Sequence, residues 1–164
     1  MEAKFPFNVR VYGILINEKR ELLVSDEFEY NIYFTKLPGG GLEYGEGLRD
    51  GLRREFREEC EAEIAVREHF YTTDFFVKSA FGESQVISVY YQVQLLQPLM
   101  LEFKEKAFDF DGQESAGPEG NGKDDAGKQS FRWIPLSALR PEDMTFPIDR
   151  RVAELIIENT DSLL

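Results

Sequence analysis

Residues 9–16 are dense in Val, Ile and Tyr and read as a strand. The polar quartet Asn17-Glu18-Lys19-Arg20 follows as a turn, and residues 21–25 resume the strand pattern. A β-hairpin is therefore expected. Residues 31–37 form another short apolar and aromatic run. It ends at Pro38-Gly39-Gly40-Gly41, the strongest breaker in the chain. From residue 48 to about residue 60 the apolar positions change to helical spacing, through Leu48, Leu52, Phe56 and Cys60. Residues 63–77 and 85–96 return to strand patterning, and residues 131–134 bring a strand back to the core. Residues 135–139 read as a turn or short helix. Residues 147–158 close the chain as a helix with Ile148, Val152, Leu155 and Ile156 on one face. Strands with one helix in the middle and one at the end predict an α+β fold.

Residues 111–128 break this patterning, with five Gly, five acidic residues and no large apolar side chain. Such a segment cannot offset its ordering entropy. A flexible acidic insertion is expected there, within a single domain spanning residues 1–164.

Composition narrows the chemistry. One Cys and one His exclude an internal disulfide and a four-ligand zinc site. A metal held here would rest on carboxylates, which favours hard cations such as Mg²⁺, Mn²⁺ or Ca²⁺. The net charge of −12 argues against a partner such as duplex nucleic acid. An anionic substrate would need a cation to screen it. The longest uncharged run, residues 84–101, alternates in polarity as a strand does, so no membrane partner is expected. No continuous apolar run follows Glu2 and Lys4, and a soluble cytoplasmic protein is the expectation.

The segment that carries chemistry lies in the middle helix. With Glu55 at zero on a helical wheel, Glu58 falls at about 300° and Glu59 at about 40°. The three carboxylates form one cluster beside the apolar stripe, which centres roughly 80° round from Glu55. Like charges bordering a buried face are costly unless a cation sits among them. Solvated i,i+4 pairing with the helix arginines is the competing structural explanation of the same pattern. The preceding Gly39-Gly40-Gly41 lets backbone approach a ligand closely. Glu46, eight residues before Arg54, is placed to brace this loop against the helix by an ion pair.

Taken together, the pattern is Gly40, five residues, Glu46, seven residues, Arg54-Glu55, an apolar residue, Arg57 and Glu58-Glu59. It resembles the Nudix box, the 23-residue signature of the Nudix hydrolases, here residues 40–62 with Gly40 and Ala62 at its ends. Leu37-Pro38-Gly39-Gly40 is similar to that family's lead-in. One position departs, since Glu61 stands where the family usually has Gly. A left-handed Glu61 would be strained by about 1–2 kcal/mol. The residues around it tolerate helix, so the helix is expected to run through Glu61, and Glu61→Gly to destabilise.

The resemblance implies an αβα sandwich with a mixed β-sheet. It implies hydrolysis of a nucleoside diphosphate linked to another group, with Mg²⁺ or Mn²⁺ as cofactor. Glu55 and Glu59 would be the first metal ligands and the Gly39 carbonyl a third. Glu58 would bind a second metal or act through water as base, with Arg54 and Glu46 in support. Family members often recruit a further acid from a late loop; Glu119, Asp124, Asp125, Glu102 and Glu105 are the candidates. The resemblance leaves room for a homodimer. ADP-ribose-type members usually carry a Pro shortly after the box, and none occurs between Ala62 and Gln97. A Nudix-fold module that senses a nucleotide without hydrolysing it is the alternative, although such modules tend to lose box glutamates that this chain keeps. A calcium-binding structural protein would need regular Asp/Asn loop spacing, which is absent. Cys60, His69, Trp133 and the many Phe read as structural residues, and Arg10 reads as a surface charge, with reach to a substrate phosphate as the alternative. Tyr71, Tyr90 and Tyr91 read as ordinary strand residues.

Overall fold

The computed structural model describes residues 6–113 and 127–163. Seven strands and two α-helices succeed one another as β1 (Phe7–Ile14), β2 (Glu21–Glu29), β3 (Ile32–Lys36), β4 (Gly39–Gly41), α1 (Leu48–Cys60), β5 (Ile64–Thr72), β6 (Gln85–Leu95), β7 (Lys128–Pro135) and α2 (Pro147–Glu158). A 3₁₀ turn, Pro141–Asp143, precedes α2. The fold is α+β, as the patterning predicts, with a mixed sheet, as the family resemblance implies.

The strands divide between two sheets. One runs in the order β4-β1-β6-β5, with β1 parallel to β6 and the other pairs antiparallel. The other is antiparallel in the order β3-β2-β7. Period-two alternation assigns side chains to two layers. Along β1, Tyr12 and Ile14 join the cluster under α2 with Val152 and Ile156, whereas Val11 joins the cluster under α1 with Leu52 and Phe56. Along β2, Leu22 and Val24 face the first cluster and Leu23 the second. The two helices thus cover opposite sides of the strands, and the sandwich is closed by apolar burial on both.

Four local expectations are corrected. The reversal at Asn17 exists, and the Asn17 carboxamide oxygen accepts from the N–H groups of Lys19 and Glu21, each at 3.0 Å. Beyond one bridge between Ile16 and Leu22, however, β1 and β2 separate into different sheets. Both edges of β1 are already taken by β4 and β6, so no hairpin ladder can continue. The glycine run is likewise not merely a breaker: Gly39–Gly41 pairs antiparallel with β1, Gly40 opposite Val11. The expected insertion at 111–128 is trimmed at its far end, where Lys128 already belongs to β7. At its near end the Gln113 side chain hydrogen-bonds the Gln129 backbone; residues 114–126 lie outside the described residues.

The fourth correction is Glu61. Helix α1 stops at Cys60, and Glu61 takes the left-handed conformation at φ 49° and ψ 35°. The chain must reverse there to bury Ala62 and Ile64, each 2% exposed. The Glu61 N–H bonds the Arg57 carbonyl at 3.1 Å and the Ala62 N–H the Phe56 carbonyl at 3.3 Å, closing the helix end. Glu61→Gly is therefore expected to stabilise by about 1 kcal/mol, through relief of left-handed strain and loss of a charge at the unfavourable helix end. Chemical denaturation checks this; a loss of stability would contradict it.

Candidate active site

Helix α1 forms where the sequence places it because Leu52, Phe56 and Cys60 share one buried stripe. Glu55 and Glu59 border that stripe. Their side chains are 12% and 17% exposed, whereas that of Glu58 is 58% exposed. The Glu55 carboxylate lies against the backbone of Gly40, close enough that a Cβ there would come within 2.7 Å of it. Burial, then the nearby Glu59 and Glu58, raise the Glu55 pKa, opposed by Arg54. The Glu59 carboxylate accepts the Gly39 N–H at 3.2 Å.

Arg54 gathers the loop. Its guanidinium donates to Glu46 at 2.6 Å, to the Gly41 carbonyl at 2.9 Å, to Glu55 at 3.0 Å and to Glu58 at 3.2 Å. Glu46 also accepts the Glu43 N–H at 2.8 Å. The guanidinium, above all, and this N–H pull the Glu46 carboxyl down to about 2. Among the described residues no three Asp, Glu, His or Cys side chains converge into a ready metal cage. Instead Arg54 stands between Glu55 and Glu58, and Lys36 stands against Glu59.

Lys36 was not legible as a site residue in the sequence, and it is central. Only 6% of its side chain is exposed. Its Nζ donates to the Gly39 carbonyl at 2.8 Å and lies 3.3 Å from Glu27 and 3.5 Å from Glu59. The Gly39 carbonyl, expected to be free for a metal, is thus engaged by the chain itself. Glu27 was missed as well. Burial, despite Lys36, pushes its pKa up to about 7, and its Oε2 has no hydrogen-bond partner among the described residues. The clue to Lys36 lay in position, directly before Leu37-Pro38-Gly39; Glu27 shares its strand with Glu21, Asp26 and Glu29, and nothing local singles it out.

Lys36, Glu27, Gly39, Glu55 and Glu59 line a cavity of about 530 Å³. Arg10 lines it, half-buried with its Nε on the Tyr12 hydroxyl at 2.5 Å, so it is not the surface charge expected. The wall also carries Tyr30, Phe34, Phe81 and Phe146, whose neighbouring ring centroids lie 5.2–5.9 Å apart, with Phe34 opposite Glu27 across the β2–β3 pair. Tyr90, also expected to be ordinary, forms part of the wall and donates its hydroxyl to Asp149 at 2.5 Å. Of the late acids proposed, Glu102 pairs with Lys104 at 3.1 Å, and neither it nor Glu105 lines the cavity. Glu119, Asp124 and Asp125 lie outside the described residues. His69 contacts Thr72 at 2.8 Å on the surface, and burial pushes the Cys60 thiol up to about 12. Trp133 lines a separate hollow with Phe103.

Gly40 gives a direct check on the Glu55 cradle. Gly40→Ala would push the end of a flexible carboxylate, not backbone, so the fold should survive. Mn²⁺ binding should weaken about fivefold, corresponding to about 1 kcal/mol. Isothermal titration measures it, and unchanged affinity would contradict the placement of Glu55.

No helix among the described residues is long and apolar enough to cross a membrane. No curated protein matches the sequence. Solved structures do. The E. coli ORF135 protein is 16% identical with a TM-score of 0.66, over 99% of this chain and 96% of that one. The MutT protein from Methanosarcina mazei Go1 is 18% identical with a TM-score of 0.66, over 98% and 99%. An ADP-ribose pyrophosphatase from Streptococcus suis 89-1591 is 17% identical with a TM-score of 0.53, over 93% and 91%. At such identities these likenesses establish the fold. The family profile of the NUDIX domain matches residues 6–156, nearly the whole of the described fold and all of the glycine loop and acidic helix, and the chain belongs to the NUDIX family.

Proposed function

We propose that this NUDIX domain is a cytoplasmic, divalent-metal-dependent hydrolase that cleaves the pyrophosphate linkage of a nucleoside diphosphate joined to another group. The observation that carries the reading is the make-up of one cavity wall. Buried carboxylates, glycine backbone and a cluster of aromatic rings line the same cavity. A pyrophosphate flanked by a flat, apolar-faced base or ring matches that combination. The ADP-ribose pyrophosphatase with which the chain shares its fold belongs to the same reaction class.

The donor set suits a hard cation: oxygen ligands only, on an acidic helix face, beside backbone that Gly40 keeps open. Glu55 and Glu59 would hold Mg²⁺ or Mn²⁺, with the second lone pair of the Gly39 carbonyl, whose first accepts from Lys36, as a further oxygen and Glu58 at the exposed edge. When bound, the metal supplies charge neutralisation at phosphate and an acidified water. The chain's own residues do the rest. Arg54, through Glu46 and the Gly41 carbonyl, fixes the loop against the helix. Glu58, exposed and beside Arg54, is positioned to accept a proton from attacking water or to bind a second ion. Arg10 offers a cation for substrate phosphate. The aromatic rings of the wall orient the organic part and exclude water from it.

A panel of nucleoside diphosphate derivatives incubated with Mg²⁺ or Mn²⁺, and resolved by chromatography, tests the reading. Cleavage into two phosphate-bearing products, lost on adding excess chelator, is expected. Tight nucleotide binding without cleavage anywhere in the panel would overturn it in favour of a sensing module.

A further inference from the structure

Lys36 carries an inference that rests on the proposed metal-dependent reading and goes beyond it. A buried ammonium is costly unless it is paired. Here its partners are two carboxylates, Glu27 and Glu59, and the Gly39 carbonyl, which between them come from β2, α1 and β4. It also lies 5.5 Å from the centroid of the Tyr12 ring. These oxygens are the kind that a hard divalent cation takes.

We propose that Lys36 is a built-in cation of the site, a positioning residue that fills one cation place and limits the free protein to a single tightly bound divalent ion near Glu55. Charge balance supports it. Glu27, Glu55 and Glu59 bring at most three negative charges to this part of the cavity wall. One ammonium and one divalent ion neutralise them. A second divalent ion would leave an excess of positive charge beside Arg10 and Arg54. Geometry supports it independently. Glu59 already has one oxygen on the Gly39 N–H at 3.2 Å and the other 3.5 Å from Lys36. The glutamate is thereby held in place before any metal arrives, and the carboxylate beside Gly40 remains the opening for the ion.

The test counts Mn²⁺ bound to the full chain, without substrate, by the loss of the free-ion electron paramagnetic resonance signal. The wild-type protein should bind one tight equivalent. Lys36→Ala, which removes the charge and leaves room, should bind two. Lys36→Arg, which keeps the charge, should bind one. Should the alanine variant fail to fold, Lys36→Gln serves, and its Mn²⁺ affinity should rise at least about tenfold as the competing cation disappears. Two tight equivalents in the wild-type protein would overturn the proposal. So would an alanine or glutamine variant with wild-type stoichiometry and affinity, or an arginine variant that gains an ion. The same panel of substrates separates the two readings: wild-type hydrolysis together with an unchanged Lys36 variant sinks this inference alone. Absence of both Mn²⁺ binding and hydrolysis in the wild-type protein sinks both.

Discussion

Glu59→Gln is expected to lower metal-dependent turnover by roughly two to four orders of magnitude, equivalent to several kcal/mol of transition-state stabilisation. The substitution is chosen for what it preserves. Glutamine has nearly the same shape, and its carbonyl oxygen can still accept the Gly39 N–H that Glu59 accepts at 3.2 Å. What disappears is the negative charge on the helix face where the cation would sit. The melting temperature in chelator should fall by some degrees, because buried Lys36 loses one of its two carboxylate partners and keeps Glu27, but the protein should stay folded while turnover collapses. Glu58→Gln should cost less, because that side chain is 58% exposed and water screens it. Initial rates on the best substrate of the panel, with Mg²⁺ in excess, measure both. Near wild-type turnover in Glu59→Gln would contradict the assignment of this helix face to the metal.

Asp149→Asn is expected to make the protein more stable at neutral pH, by about 1–2 kcal/mol. Asp149 is 5% exposed in the first turn of α2 and accepts the Tyr90 hydroxyl at 2.5 Å. Burial lifts its pKa from 3.8 to about 6; the Tyr90 hydrogen bond, Lys36 and Arg10 pull the other way without restoring the ordinary value. The folded protein therefore holds this proton more tightly than the unfolded chain. The stability that Asp149 contributes is complete below pH ~4 and is lost as pH rises through ~6. A shift of this size corresponds to at most about 3 kcal/mol. The helix N-terminus favours the ionised form and offsets roughly 0.3–1 kcal/mol of it. Asparagine keeps an acceptor for Tyr90 and has no charge to bury. The difference in unfolding free energy between variant and wild type should be small at pH 4, grow to pH 6 and level off above. A difference that does not vary with pH would show that Asp149 does not titrate in this range.

The box helix was legible in the sequence because everything that makes it is local. Leu52, Phe56 and Cys60 recur at helical spacing, and the same spacing puts Glu55 and Glu59 together one turn apart. The closing helix at residues 147–158 was legible for the same reason, through Ile148, Val152 and Ile156. The ion pair of Glu46 with Arg54 followed from spacing within one motif. By contrast, nothing local distinguishes a strand that continues its hairpin from one that leaves for another sheet. That choice between β1 and β2 was made by β4 and β6 occupying both edges of β1. Glu61 was misread because helix propensity favours continuation, while burial of Ala62 and Ile64 in the core demands the reversal. Lys36, Glu27, Arg10 and Asp149 were invisible as a set because they stand on four different elements. A strand turns alternate side chains to opposite faces, so a residue's surroundings depend on which strand lies beside it and in what register. The sequence alone determined the helix face that would carry the carboxylates; tertiary packing decided which buried cation those carboxylates would meet, because only long-range strand pairing brings β2, β3 and β4 against α1.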